Sequence, residues 1–273
     1  MPELPEVELT ARMLRRRCAG AAVQEVHVLD RRAVKGQSAP AFERALEGAT
    51  LGEVARHGKH LLVDLHGDRL LWVHLGMTGK LLFRSSGTPA LPYTRVHLAL
   101  DRGELFFTDP RLLGGMSAGP TAAVRKRAGI ARLGPDALGA LDAELLRARL
   151  GQSRAPLKAA LMDQARLAGL GNIQACEALF RARLSPLLPA RDATEAELVR
   201  LAEGISASLR HTLDAEKKDE VVYLNESKDA PNPFLVYGRE GEPCPRCGEA
   251  IARRAQGGRG TYFCPRCQGV TSA

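Results

Sequence analysis

Short apolar runs recur through the first part of the chain, each bounded by turn-forming residues. The run at 96–100, Val-His-Leu-Ala-Leu, alternates as a strand with one buried face does. The other runs lie at 23–29, 61–65, 70–75, 80–83 and 105–107. This rhythm predicts a β-sandwich or barrel from about residue 22 to about residue 108.

The pattern changes in the middle of the chain. From about residue 135 to about residue 216, Ala, Leu, Arg and Glu recur at helical spacing, and Asp192-Ala-Thr-Glu-Ala-Glu-Leu is typical of a capped helix start. Residues 217–237 are polar and irregular, with Pro231 and Pro233, which predicts a loop. A small helical domain is therefore expected between two parts of different character.

Four of the six cysteines form two CxxC pairs near the end of the chain. The pair Cys244 and Cys247 is separated from the pair Cys264 and Cys267 by sixteen residues. Each pair can direct two thiolates from one turn toward a tetrahedral ion, and the segment between them can return as a hairpin. Because four thiolates leave no open coordination position, we predict a zinc ribbon with one structural Zn²⁺. The other two cysteines, at 18 and 176, are assigned to packing.

These patterns together predict an α+β multidomain chain. We expect an N-terminal β-sandwich or barrel domain at 1–134, a helical domain at 135–230 and a zinc-ribbon domain at 231–273. The chain of 273 residues, 45% of them hydrophobic, is long enough for two ordinary domains and a ribbon.

The charge balance favours a polyanionic partner. Lys and Arg number 39 against 31 Asp and Glu, for a formal net charge of +8 and a pI near 9.4. The ribbon alone holds six arginines against three glutamates. No apolar run approaches a membrane span and no charged-then-apolar leader opens the chain, so we expect a cytoplasmic protein without membrane contact.

The start of the chain carries candidate chemistry. Proline at position 2 allows removal of Met1, which would leave the secondary amine of Pro2 at the terminus. An α-amino group has a pKa of about 7.7 to 8, so a sizeable fraction is an unprotonated nucleophile at neutral pH. Condensation of this amine with a sugar C1′ would give an iminium ion, which draws electrons from C2′. Glu3 would lie beside the amine and could shuttle protons.

Three motifs in order resemble bacterial formamidopyrimidine-DNA glycosylase. They are Met-Pro-Glu-Leu-Pro-Glu-Val-Glu at 1–8, Gly-Leu-Gly-Asn-Ile at 169–173, and Val-Tyr-Gly-Arg at 236–239 ahead of the ribbon. The resemblance runs from residue 1 to about residue 268. It implies a helix-two-turn-helix element in the helical domain and a monomer that acts on damaged double-stranded DNA. The implied enzyme of base excision repair removes 8-oxoguanine and formamidopyrimidines, then cuts the strand by β- and δ-elimination.

The resemblance also implies roles for single residues in the chemistry. Pro2 matches the nucleophile that forms the Schiff base, Glu3 the neighbouring acid, and Glu6 a further carboxylate of the same pocket. Lys59 matches the proton donor in β-elimination. Arg259 matches the ribbon arginine that binds phosphate and assists δ-elimination.

Other matches concern DNA binding. A base that is flipped out leaves a hole in the duplex. The segment from His74 to Gly79 resembles the one whose methionine, here Met77, enters that hole, and Arg111 matches the arginine that faces the orphaned base. Asn172 matches the asparagine of the helix-two-turn-helix, which binds phosphates beside the lesion. Two basic residues are further candidates for backbone contacts: Arg154 and Lys158.

Three departures from the family pattern concern substrate choice. Leu113 stands where an aromatic wedge is usual. Residues 216–223 replace a Gly-Gly-Thr-Thr-type loop that closes over 8-oxoguanine, and Tyr-Thr-Arg at 93–95 replaces His-Asp-His. The motifs therefore support the lyase chemistry more strongly than they support recognition of 8-oxoguanine.

Two alternatives stay open. A relative resembling endonuclease VIII would prefer oxidised pyrimidines, although its usual start has Gly where this chain has Leu4. A DNA-binding protein that keeps the ribbon but no longer reacts would not need a free proline at its terminus.

Overall fold

The computed structural model describes residues 2–215 and 232–270. Residues 216–223, where the sequence departs from the family loop, lie outside the described ranges, as does most of the loop predicted at 217–237. Backbone contacts divide the chain into two compact units, with a boundary between Arg132 and Leu133. No helix in the described ranges combines the length and hydropathy needed to span a bilayer.

The first unit contains two four-stranded sheets in which every neighbouring pair is antiparallel. In order across the first sheet, the strands are β1 (Val23–Val28), β6 (Thr94–Leu100), β7 (Gly103–Thr108) and β5 (Lys80–Arg84). In order across the second, they are β2 (Val54–His57), β3 (His60–Asp64), β4 (Arg69–His74) and β8 (Gly115–Pro120). Apolar side chains of both sheets share one buried core, so the predicted sandwich is confirmed.

Three α-helices complete the described part of the first unit: α1 (Leu4–Arg17), α2 (Ala39–Leu46) and α3 (Thr121–Ala128). Helix α1 contributes Val7, Ala11 and Leu14 to the core and packs against β2 and β3. Its position brings the start of the chain to the edge of the second sheet.

The six predicted apolar runs coincide with β1, β3, β4, β5, β6 and β7. The pattern missed the three helices described for this unit, as well as β2 and β8. Helix α1 carries Glu6 and Glu8 near its start and three arginines in its last turn, so its apolar stripe is narrow. Strand β8 reads Gly-Met-Ser-Ala-Gly-Pro, and its small residues give no clear alternation.

The second unit is helical, as predicted, and ends in the ribbon. Its helices are α4 (Ala143–Leu150), α5 (Leu157–Met162), α6 (Asn172–Ala182) and α7 (Glu195–Ala215). Helices α6 and α7 pack together around a buried hydrogen-bonded chain from Ser208 to Gln174 to Thr212. The capped start predicted for α7 is present. The backbone N–H of Thr194 donates to the side chain of Glu197, and the backbone N–H of Glu197 donates to the hydroxyl oxygen of Thr194.

The ribbon is a hairpin of β9 (Ala252–Gln256) and β10 (Arg259–Phe263). Gly257 and Gly258 form its two-residue turn, with φ angles of 56° and 72°. Such a turn requires two successive left-handed residues, which glycine adopts without strain. Arg259 follows the turn directly and is exposed.

Candidate active site and nucleic-acid interface

The start of α1 gathers the three predicted residues of the N-terminal pocket. Pro2, Glu3 and Glu6 are all buried. The backbone N–H of Glu3 donates to Oε2 of Glu6 at 2.8 Å, as in a capping box. Burial, together with the neighbouring charge of Glu3, raises the pKa of Glu6 from 4.5 to about 7. The pocket thus contains a carboxyl group that exchanges a proton near neutral pH.

Lys59 lies in the two-residue turn between β2 and β3, and this turn is tied to α1. Arg56 donates from Nη1 to the carbonyl oxygen of Gly58 at 2.9 Å and from Nε to Oε2 of Glu8 on α1, also at 2.9 Å. Burial alone would raise the pKa of Glu8, but the hydrogen bond and positive charge of Arg56 outweigh it and hold this pKa below its ordinary value. Glu8 and Arg56, to which the sequence assigned no role, therefore fix the Lys59 turn relative to the helix that begins beside Pro2.

Two neutral histidines, His60 and His74, lie near the Lys59 turn and accept hydrogen bonds. Trp72 donates from Nε1 to Nδ1 of His60 at 2.8 Å, and the N–H of Gly76 donates to Nδ1 of His74 at 3.1 Å. Each bond leaves the remaining ring proton on Nε2. Burial, then the electrostatic repulsion that a protonated His60 would meet from His74, His57 and Lys59, lowers the pKa of His60 to about 3. Burial and Lys59 lower the pKa of His74 to about 4.

The three residues predicted to enter the duplex lie on two adjoining loops. Met77 follows β4 and is 40% exposed, and Leu113 precedes β8 and is 47% exposed. Arg111 is exposed on the second loop. Met77 and Leu113 are large apolar side chains that stay exposed in the described part of the first unit, so they are available for contact with a partner.

In the second unit, Asn172 and Lys158 both bond to the ribbon hairpin. Asn172 donates from Nδ2 to the carbonyl oxygen of Gly260 at 3.0 Å. Lys158 is 1% exposed and donates from Nζ to Oγ1 of Thr261 at 2.7 Å and to the same Gly260 oxygen at 3.3 Å. The sequence suggested a phosphate contact for Lys158, but its ammonium group is buried because it binds the hairpin. Arg154, by contrast, is exposed ahead of α5.

A second joint links α6 to the segment before the ribbon. The buried carboxylate of Glu177 accepts hydrogen bonds from the backbone N–H groups of Leu235, Val236 and Tyr237, at 2.9 to 3.1 Å. On the ribbon itself, Arg246 donates to the carbonyl oxygen of Phe180 at 2.9 Å. The Val-Tyr-Gly-Arg motif is thus an anchoring segment for the ribbon.

The four ribbon cysteines form one cluster whose Sγ atoms all lie within 4.8 Å of one another. The Sγ–Sγ distances are 4.0 Å between Cys244 and Cys267 and 3.5 Å between Cys247 and Cys264. Tetrahedral zinc with Zn–S bonds of about 2.3 Å places its sulfurs about 3.8 Å apart, so the donor set fits the ion. Backbone N–H groups of Arg246 and Cys267 point to two of the sulfurs, as befits thiolates.

Comparison with known proteins supports the same assignment along the chain. Family models match at residues 1–116 (formamidopyrimidine-DNA glycosylase N-terminal domain), 133–222 (the H2TH domain of the same enzyme) and 241–270 (zinc finger found in FPG and IleRS). Formamidopyrimidine-DNA glycosylase of Thermus thermophilus is 43% identical over 98% of this chain and 99% of its own. The chain belongs to the formamidopyrimidine-DNA glycosylase family.

The similar solved structures include complexes with damaged DNA. Lactococcus lactis Fpg with DNA containing Fapy-dG is 29% identical, with a TM-score of 0.87 and coverage of 97% of this chain and 99% of that one. The same protein with DNA containing an oxidised pyrimidine is 30% identical, with a TM-score of 0.86 and coverage of 98% and 99%.

Membership of the formamidopyrimidine-DNA glycosylase family establishes the general activity. The protein is a DNA glycosylase of base excision repair that binds damaged DNA, and cleavage at abasic sites is a general property of its family. The ribbon binds one structural zinc ion. The predicted family, mixed α+β fold, enzyme class and zinc site are confirmed, and the roles of single residues stay predictions.

Proposed function

We propose that the protein removes 8-oxoguanine and formamidopyrimidines from double-stranded DNA and then cuts the strand by β,δ-elimination. The nucleophile is the amine of Pro2 once Met1 has been removed. The observation that carries this proposal is the start of α1, where Pro2 adjoins the buried carboxyl groups of Glu3 and Glu6. The binding of Fapy-dG DNA by the Lactococcus lactis relative supports the purine assignment.

The chemistry follows from the amine. Its lone pair attacks C1′, and the N-glycosidic bond breaks as the base leaves with the bonding electrons. The amine then loses its proton, and the C1′–O4′ bond breaks as O4′ takes up a proton, which opens the sugar ring and leaves an iminium ion between Pro2 and C1′. This ion draws electrons from C2′, so a C2′ proton can leave as the C3′–O bond breaks. Glu3 and Glu6 accept and return protons, since a pKa of about 7 allows Glu6 to carry one at neutral pH. Lys59 donates a proton in β-elimination, and Arg259 binds phosphate and assists δ-elimination.

Base flipping requires a second set of residues. Met77 fills the hole left by the flipped nucleotide, Arg111 faces the orphaned base, and Leu113 takes the place of the usual aromatic wedge. On the backbone, His74, Asn172 and Arg154 contact phosphates near the lesion. The exposure of Met77, Arg111 and Leu113 supports this division of roles.

We assign these activities to three domains, residues 1–134, 135–230 and 231–273, in a monomer that acts in the cytoplasm. The unit boundary between Arg132 and Leu133 supports the first division. Size-exclusion chromatography with light scattering should give the mass of one chain, 29.4 kDa, for the protein alone, and the mass of one chain plus one duplex when a lesion-containing duplex is bound.

Borohydride trapping tests the proposed chemistry and the substrate together. Three duplexes are compared: 8-oxoguanine opposite cytosine, an oxidised pyrimidine, and a natural abasic site. The pyrimidine is included because the Lactococcus lactis relative has been seen with such DNA. We expect a covalent adduct on all three, and of the two base-containing duplexes, the one with 8-oxoguanine should form it faster.

A preference for the pyrimidine duplex would overturn the purine assignment and leave the Pro2 chemistry intact. Trapping at the abasic site alone would also overturn the purine assignment. Failure to trap on any duplex, with protein verified to start at Pro2, would overturn the proposed nucleophile.

A further inference from the structure

The two loops that carry the predicted inserting residues meet at one buried carboxyl group. Asp109 is fully buried. Its Oδ1 accepts from Oγ1 of Thr78 at 2.6 Å, and its Oδ2 accepts from the backbone N–H of Gly114 at 2.7 Å. The N–H of Arg111 also donates to Oδ1, at 3.2 Å. One side chain therefore bonds the residue after Met77 on the first loop and a residue on each side of Leu113 on the second.

The backbones of the two loops are also in direct contact. A Cβ atom at Gly76 would lie 2.4 Å from the backbone nitrogen of Gly114 and 2.7 Å from the carbonyl oxygen of Leu113. A Cβ at Gly114 would lie 2.6 Å from the carbonyl oxygen of His74. Glycine at both positions permits an approach that any side chain would block, so the loops cannot shift independently without breaking this contact.

Asp109 is in turn held by the first sheet. Its backbone N–H donates to the carbonyl oxygen of Tyr93 at 3.1 Å, and Arg95 donates from Nε to the Asp109 carbonyl oxygen at 2.8 Å. These bonds hold the backbone of Asp109 in place, and its carboxyl group in turn holds the two loops.

We propose that Asp109 is a positioning residue for base flipping, which holds the Met77 loop and the Arg111–Leu113 loop in one arrangement before DNA binds. The three exposed side chains then enter the duplex as a unit, and no ordering of the loops is needed at the moment of insertion. This inference rests on the insertion roles proposed above. Because Asp109 is fully buried, its proposed effect on the DNA is exerted through the two loops.

The test compares duplex and single-stranded DNA with a natural abasic site, because only the duplex has a hole to fill. Strand cleavage is measured under single-turnover conditions for the wild-type protein and for Thr78→Val and Asp109→Asn. Thr78→Val removes one hydroxyl donor and keeps the side-chain volume. Ser117→Ala is the matched control, since it removes a 2.7 Å side-chain hydrogen bond to Gln37 in the same unit.

We expect Thr78→Val and Asp109→Asn to slow duplex cleavage about tenfold, the range for loss of a hydrogen bond to a buried carboxylate. Cleavage of the single strand should stay within about twofold of wild type, and Ser117→Ala should leave both rates unchanged. Equal loss on the two substrates, or no loss of duplex cleavage in Thr78→Val, would overturn the proposal. Absence of cleavage by the wild-type protein on either substrate would instead count against the proposed nucleophile.

Discussion

Asn172 donates a hydrogen bond from its side-chain amide to the carbonyl oxygen of Gly260, with 3.0 Å between Nδ2 and O. Gly260 directly follows Arg259, so the first residue of α6 helps to set where the ribbon arginine stands. Lys158 reinforces the same point through Thr261 and the Gly260 oxygen. Asn172, which the sequence assigned to phosphate binding, therefore also helps to hold the ribbon hairpin in place.

Lys158→Met should weaken DNA binding through the position of Arg259. We expect a loss of about fivefold to tenfold, because the Gly260 oxygen and the Thr261 hydroxyl lose their buried donor, which loosens the hairpin. Arg259→Ala should lower affinity and reduce the slope of log Kd against log salt by about one ion. The double variant should be no weaker than Arg259→Ala alone.

Fluorescence anisotropy at several salt concentrations measures these effects, with Arg254→Ala as a control for net charge on the exposed face of the ribbon. Additive losses in the double variant would show that Lys158 acts independently of Arg259.

An extension of the N-terminus should separate binding from catalysis. A tag that remains attached converts the amine of Pro2 into an amide, which cannot form an iminium ion. We expect strand cleavage to be abolished while zinc content and duplex affinity are retained, and a C-terminal tag should leave all three unchanged. Normal cleavage by protein whose intact tag is verified by mass spectrometry would rule out Pro2 as nucleophile.

Cys247→Ser should remove the zinc ion and most of the DNA affinity. Loss of one thiolate opens the tetrahedral site, and the ribbon fold depends on the metal. We expect an affinity loss of about tenfold or more, because Arg259 lies on the hairpin that unfolds. Metal analysis and anisotropy measure the two effects, with Cys18→Ala, a buried cysteine outside the cluster, as the control. Wild-type affinity in a zinc-free protein would exclude the ribbon as a DNA clamp.

The stability of the first unit should rise with pH between about 4.5 and 6.5. His60 and His74 take up protons only near pH 3 and pH 4 when folded, but near 6.5 when unfolded, so acid favours the unfolded chain. Glu6 acts in the opposite sense, because its folded pKa of about 7 exceeds the unfolded value of 4.5 and its contribution is lost as pH rises. Two histidines against one carboxyl group give a net increase.

Urea unfolding followed by the fluorescence of Trp72, the chain's only tryptophan, measures this dependence. His60→Gln should flatten the slope and Glu6→Gln should steepen it. His66→Gln, at a histidine side chain that is 66% exposed, is the control. An unchanged slope in His60→Gln would contradict the assignment of the acid sensitivity to this histidine.

Leu113→Phe should strengthen binding to damaged duplex by about fivefold, since an aromatic ring stacks on bases better than a leucine side chain does. The side chain is 47% exposed, so the larger residue should not disturb the fold. Anisotropy with an uncleavable abasic analogue measures the gain. Leu29→Phe, at a more exposed leucine of the same unit, should give none; an equal gain there would indicate a nonspecific effect.

The sequence predicted what depends on local pattern and missed what depends on distant partners. Short apolar runs between turn-forming residues predicted most strands of the first unit, and the CxxC spacing predicted the cysteine cluster. The burial of Lys158 could not be foreseen, because its acceptors lie about a hundred residues further along the chain. Asp109 reads as part of an Asp-Pro turn, and only the fold shows which loops its carboxyl group binds.

In most of the hydrogen bonds described between the helical part and the ribbon, a side chain on one partner binds a backbone group on the other. Glu177, Asn172 and Lys158 reach to backbone N–H or carbonyl groups at 235–237 and 260, and Gln268 reaches in return to the carbonyl oxygen of Leu184. A backbone group is present whatever the side chain at that position. Over evolution, positions that contribute only a backbone group can change their side chains without losing these hydrogen bonds, whereas Glu177, Asn172 and Gln268 cannot. The Lys158 bond differs, because it also depends on the side-chain hydroxyl of Thr261. Among the residues of this joint, substitution should therefore be slowest at Glu177, whose single carboxyl group accepts three of the hydrogen bonds.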